Sequence, residues 1–411
     1  MIQGITGIVT LLAVAWLMSE NRRIIHWRII LAGVALQVAI ALLMLKAPLF
    51  RELFLGLNAV VTAFQDATVA GTSFVFGPLG GGALPYQETR PGGSFSLAFQ
   101  SLPLVLVIGA LTALLYYWRI LPRVVRAFSW LLRKSMGIGG ALGVVASGCI
   151  FLGMVESPLL IRPYLNRMTR SELFAMMTTG LSCIAGTMLI LYATVLKGAL
   201  PDPLGHILTA SIIHAPAALL LASVMVPETE PQTLGDEITP SQATSAMDAL
   251  AKGTWDGLQL LFNIVAILIV FVALVKLADI GLGLFPPVMG APVSLERILG
   301  ALMSPVVWLI GVPWEEAGTA GALMGTKVVL NELLAFIDLA RLPQAALCAK
   351  SRLIMTYALC SFANLGSLGI LIGGLGSLCP QRRNEIVGMG GKALIAGILA
   401  SLMTGAIVGM F

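Results

Sequence analysis

Two carboxylates, Glu156 and Glu332, interrupt apolar stretches of this 411-residue chain, each just past a Gly-containing break. In lipid such a group is costly and therefore a functional candidate. It can bind and release a proton, or hold a substrate hydroxyl by a charge-assisted hydrogen bond. The plainer alternative is a structural ion pair, Glu332 with Lys327 or Glu156 with Arg162. Their matching places in two halves of the chain favour function. Two more stretches, LSCIAGTM (181–188) and CSFANLGSLGI (360–370), bring small and polar residues into apolar runs. Ser, Thr, Asn and Gly there let a helix unwind and present carbonyls and half-helix ends to a ligand. Close helix packing is the alternative use of such small residues. Asn364 also carries an amide that needs partners in apolar surroundings.

The elements that position these groups follow from composition. The chain is 58% hydrophobic and 11% charged, with a mean hydropathy of +0.94. Soluble domains carry roughly 25% charged residues, so the lipid bilayer is the expected partner. Apolar runs long enough to cross it lie near 3–20, 29–48, 97–118, 171–197, 206–226, 257–285, 350–378 and 386–411. The first is read as a span and not a secretory signal, since its charges follow the apolar run. Basic clusters after the first and third runs and before the fourth and last place both termini outside. Arg341, Lys350 and Arg352 run against that pattern. Two Gly-rich stretches, 137–162 and 311–340, are interrupted near the middle and read as re-entrant hairpins.

The predicted fold class is an all-α polytopic membrane protein with eight transmembrane helices and two re-entrant helical hairpins in an inverted repeat. Its predicted divisions are 1–95 (scaffold helices and connecting loop), 96–226 (first repeat), 227–256 (cytoplasmic loop) and 257–411 (second repeat). Amphipathic helices are expected over 120–134 and 294–308. The five cysteines form no CxxC pair and read as reduced. His26, His206 and His214 lack metal-ligand spacing. GxSxG, HExxH and P-loop patterns are missing, and GMGGKA near 388 is not a phosphate loop. With no nucleophile–base pair, an enzyme is not expected. A net charge of +5 scattered between apolar runs does not point to nucleic acid.

These motifs resemble the concentrative nucleoside transporter family along nearly the whole chain. The first hairpin reads IFLGMVESPLLIRPYL (150–165), the second GTKVVLNELLAF (325–336), and a later segment ALCSFANLGSLGILIGG (358–374) is followed by CPQRR. Their order is the family's. The resemblance implies a homotrimer in the bacterial inner membrane that takes up nucleosides by alternating access and needs no cofactor beyond a coupling cation. The scaffold would be spans 1, 2, 3 and 6, and the moving part the hairpins with spans 4, 5, 7 and 8. It implies that Gly153, Met154, Val155 and Glu156 face the base, and that Glu332, Asn364 and Ser367, with Phe362 nearby, face the ribose.

Two departures shape the expectation. Met154 and Val155 stand where the family usually has Gln and Thr, so its base preference does not carry over. Cys149 and Cys183 stand where sodium-coupled members have Asn and Ser, beside the carbonyls of Leu152 and Ile184. A thiol is a poor ligand for a hard cation. Proton coupling through Glu156, with Glu332 second, is therefore expected over sodium. The rival is sodium held by carbonyls, water and Ser182. A carrier of a nucleoside-like base or sugar, a non-transporting receptor and a proton-leak channel on the same scaffold are the other readings.

Overall fold

The computed structural model describes residues 2–46, 48–85, 94–235, 238–287, 290 and 292–411. The end of the predicted N-terminal connecting loop at 86–93, and residues 236–237 of the polar loop, lie outside them. The architecture is all-α. Helices α1 (Ile2–Leu17), α2 (Trp27–Lys46) and α3 (Pro48–Phe76) open the chain. The first two match predicted spans, but α3 corrects the reading of that stretch as connecting loop. Its sequence mixes Arg51, Glu52, Gln65 and Asp66 with apolar residues, so no uninterrupted apolar run announces it.

Next come a π turn at Leu97–Ser101, then α4 (Leu104–Tyr117) and the amphipathic α5 (Ile120–Met136). The first predicted hairpin has unequal limbs. Its first limb is α6 (Gly140–Cys149) and its second a tighter 3-10 stretch, Ser157–Arg167, that packs on α6 and leaves helical geometry at Ile161 (φ −118°, ψ 23°). Pro158 stands in the first turn of that stretch, where a missing N–H costs nothing, and Pro163 removes a donor from its middle. The predicted span 171–197 is broken into α7 (Arg170–Ser182) and α8 (Gly186–Val195). Thr169 starts α7 with a capping box, its hydroxyl accepting from Glu172 N–H at 3.1 Å while Glu172 accepts from Thr169 N–H at 3.1 Å.

Helix α9 (Pro203–Met225) is almost wholly buried and packs against α2, α7 and α16. Helix α10 (Ala246–Leu282) begins eleven residues before the predicted span, because Ser245 caps it at Asp248 N–H and a Lys252–Asp248 pair links its first two turns. Its 37 residues extend about 55 Å. Then follow α11 (Leu295–Leu309), α12 (Trp314–Val329) and α13 (Glu332–Arg341). The first two meet at 119°. The predicted span 350–378 is broken into α14 (Ala349–Leu359) and α15 (Leu365–Leu378), and α16 (Arg383–Val408) closes the chain. Buried Arg352 donates to the carbonyls of Leu339, Leu342 and Pro343 at the end of α13, which accounts for a charge in that run.

Among the described residues, four helical stretches are long and apolar enough to cross a membrane: Trp27–Lys46, Leu97–Tyr117, Pro203–Met225 and Pro380–Val408. Between membrane helices, small residues allow the close contact that stabilises association. Gly253 and Gly257 of α10 press on α4, where a Cβ at 253 would lie 2.6 Å from Gly109 O and from Ala113 Cβ.

Candidate functional site: a cavity between four chain breaks

The turn at 153–156, the break at 183–185, the break at 330–331 and the break at 360–364 converge on one cavity of about 140 Å³. Gly153, Met154, Val155, Glu156, Glu332, Phe362, Asn364 and Ser367, all singled out from sequence, line it. So do Ala185 and Met188 at the start of α8, inside the stretch 181–188 marked from sequence, and residues that sequence reasoning missed: Asn331, and Leu260 and Ile264 of α10. Asn331 lies inside the second motif. Leu260 and Ile264 are ordinary apolar residues one helical turn apart, and nothing in the sequence distinguishes them.

Gly153 makes the first turn possible. Its φ of +93° is unfavourable for residues with a Cβ, and a Cβ there would stand 2.9 Å from that of Ala185. Glu156 follows and opens on the cavity. Among the described residues it forms no ion pair, with Arg162 or any other cation. Met154 is buried, and Val155 packs toward Gly374 of α15.

Glu332 is held from two sides. Its Oε1 accepts from Tyr192 OH at 2.5 Å and its Oε2 from Asn364 Nδ2 at 2.8 Å. The Tyr192 ring rests on Phe336, centroids 5.1 Å apart. Among the described residues the Lys327 ion pair weighed for Glu332 is not formed, and Lys327 Nζ donates to Ser401 Oγ at 3.4 Å. Local sequence explains the placement. Asn331 caps α13 by accepting from Leu334 N–H at 2.9 Å, and Asn364 caps α15 by accepting from Ser367 N–H at 2.7 Å. Helices α8, α13 and α15 thus all begin at the cavity, with their positive dipole ends toward it.

The group expected at the coupling cation surrounds the neighbouring breaks. Cys149 ends α6, Leu152 lies in the following turn, and Cys183 and Ile184 lie between α7 and α8. The Gly186 N–H donates to Phe151 O at 2.8 Å and ties the two breaks together. Ser211 of α9, which no motif marks, joins them: its Oγ lies 3.3 Å from Ile150 O and 3.4 Å from Ile184 O. Cys183 Sγ donates toward Ser211 O at 3.7 Å. Among the described residues, His, Cys, Asp and Glu gather nowhere as a metal-binding group of three.

A second cavity of about 440 Å³ adjoins the first and shares Glu156 and Leu260 with it. Tyr116, Arg162, Gln242, Lys252 and Asp256 line it. Part of the loop between α9 and α10 crosses it, with Thr239 N–H donating to Leu160 O at 2.9 Å and Thr239 O accepting from Tyr116 OH.

Three family profiles match in chain order. The N-terminus of the Na+ dependent nucleoside transporters matches residues 6–79, a nucleoside-recognition "Gate" residues 98–198, and the C-terminus of the Na+ dependent nucleoside transporters residues 206–409. The nucleoside permease NupC of Helicobacter pylori is 35% identical over 99% of this chain and 97% of its own length. The chain belongs to the concentrative nucleoside transporter family. The uncharacterized transporter YutK of Bacillus subtilis is 39% identical over 99% of this chain and 98% of its own. The solved structure of CNTnw in an inward-facing substrate-bound state superposes with a TM-score of 0.91 at 36% identity, covering 100% of this chain and 98% of that one.

As a family member the chain is a carrier and not an enzyme. The family also corrects one expectation. Proton coupling, inferred from Cys149 and Cys183, is overturned by profiles at both ends of the chain that describe Na+ dependent transporters. Thiols at 149 and 183 do not exclude sodium, because backbone carbonyls and hydroxyls also supply oxygen ligands to a hard cation, as the rival reading had it.

Proposed function

We propose that this concentrative nucleoside transporter takes up nucleosides across the cytoplasmic membrane by alternating access, coupled to sodium. The observation that carries the reading is the convergence of three motifs, 150–165, 325–336 and 358–374, on one cavity. Glu332, Asn364 and Ser367 hold the ribose, with Phe362 beside it, because a diol needs an acceptor and an amide at fixed spacing. Gly153, Met154, Val155 and Glu156 face the base.

The order of elements supports eight spans and two hairpins in an inverted repeat. Helices α4 and α5, the first hairpin, the broken pair α7–α8 and α9 recur as α10, α11, the hairpin α12–α13, the broken pair α14–α15 and α16. Both termini then lie outside, and three copies assemble in a bacterial inner membrane, as the resemblance implies. In that orientation the 440 Å³ cavity, lined in part by the loop between α9 and α10, lies on the cytoplasmic side.

The test is exchange in proteoliposomes. Labelled uridine, adenosine or guanosine loaded on one side should exchange with unlabelled nucleoside on the other, and an inward sodium gradient should drive net uptake. Glu332→Gln removes the charge from hydrogen bonds of about 1.5–3 kcal/mol, so half-maximal nucleoside concentration should rise roughly tenfold or more. A protein that binds nucleoside without exchanging it is a receptor, and the reading fails.

A further inference from the structure

Three oxygens from three elements stand together beside the cavity. The Ile150 carbonyl follows α6, the Ile184 carbonyl lies in the break before α8, and Ser211 Oγ comes from the middle of α9, 3.3 Å from the first and 3.4 Å from the second. A hydroxyl has one proton to donate, and contacts of this length lie beyond the usual O–H···O range. Serine and threonine hydroxyls in buried helices often return to the carbonyl four residues back. Thr209, half a turn earlier on α9, does so with Gly205 O at 2.6 Å. Ser211, fully buried, instead reaches across to two other segments. The spacing suits a hard cation. Oxygens about 2.4 Å from an ion and at right angles around it stand about 3.4 Å from each other.

The nearby thiols do not compete for that role. Cys183 Sγ aims its proton at Ser211 O, and sulfur is a soft ligand.

We propose that Ser211 is a sodium ligand, its hydroxyl oxygen acting with the Ile150 and Ile184 carbonyls where this chain has thiols at 149 and 183. The inference rests on the sodium-coupled reading above. Binding the ion turns the Ser211 proton away and a lone pair inward. The ion then links the end of α6, the break before α8 and α9, which fixes the hairpin tip carrying Glu156.

The test is a sodium titration of the full chain, read twice: uridine uptake into proteoliposomes, and the sodium-induced rise in melting temperature in detergent, with potassium as control. Ser211→Ala should raise the half-maximal sodium concentration by about tenfold or more, the effect of losing one hydrogen-bonding-strength contact to a charge, and abolish the thermal shift. Cys183→Ser, which adds an oxygen beside the site, should lower that concentration and partly restore Ser211→Ala. If Ser211→Ala does not fold, Ser211→Cys keeps the size, trades oxygen for sulfur and should show the same loss. Wild-type sodium curves and shifts in the Ser211 variants overturn the proposal while leaving sodium coupling intact. Wild-type uptake that ignores sodium overturns the coupling itself, and this proposal with it.

Discussion

Asn364 shows how much one side chain arranges at this site. Its Oδ1 starts α15 by accepting from Ser367 N–H, and its Nδ2 holds Glu332 of the facing hairpin. The amide is satisfied at both ends, as a buried polar group must be. The wall formed by Met154 and Val155 is the opposite case, since neither side chain makes a hydrogen bond of useful strength. Met154→Gln with Val155→Thr would add partners for a base edge, each worth about 1 kcal/mol, and should shift relative preference among uridine, adenosine and guanosine about fivefold. Competition against labelled nucleoside uptake measures this. An unchanged order of preference means these positions do not read the base.

At the scale of elements, the breaks are what the chain's composition announces best. Gly, Ser and Asn inside apolar runs mark 183–185 and 360–364, and both runs are broken there. The long helix α3 is hidden because polar residues are spread through it. The 3-10 geometry of the second limb of the first hairpin is announced by no residue pattern in it. The coupling ion was misjudged for a different reason: Cys149 and Cys183 are visible in the sequence, whereas the oxygens beside them, Ser211 Oγ among them, come together only when α9 packs against both breaks. Contact between α4 and α10 was equally invisible, and it gives a sharp prediction. Gly253→Leu puts a side chain where a Cβ already meets Gly109 O at 2.6 Å. Overpacking of this kind costs about 1–3 kcal/mol and should lower the melting temperature in detergent. Gly281→Leu on the same helix, with open space around its Cβ, should leave it unchanged.

Across the whole molecule, Glu20 fastens the first helix to two others. Its carboxylate accepts from Arg170 at 2.9 Å, at the start of α7, and from Lys392 of α16 at 3.1 Å. In the proposed division this joins scaffold to moving part. The hydrogen bond from Arg170 is the main reason the Glu20 carboxyl titrates below the usual carboxylate range. A depressed folded-state pKa stabilises above the unfolded value and loses that contribution as pH falls through the folded one. Glu20→Gln should therefore lower stability at neutral pH by no more than about 1 kcal/mol, given its partial exposure. The gap between variant and wild-type melting temperatures should close as the medium is acidified below the usual carboxylate range; a constant gap refutes the assignment. The three half-helices that start at the cavity have a wider consequence. Their ends amount to about +1.5 elementary charges, set against the two carboxylates Glu156 and Glu332. Among the described residues no Lys or Arg lines the chamber, so a 5′-phosphate would meet only these helix ends as counter-charge, whereas an uncharged nucleoside needs none.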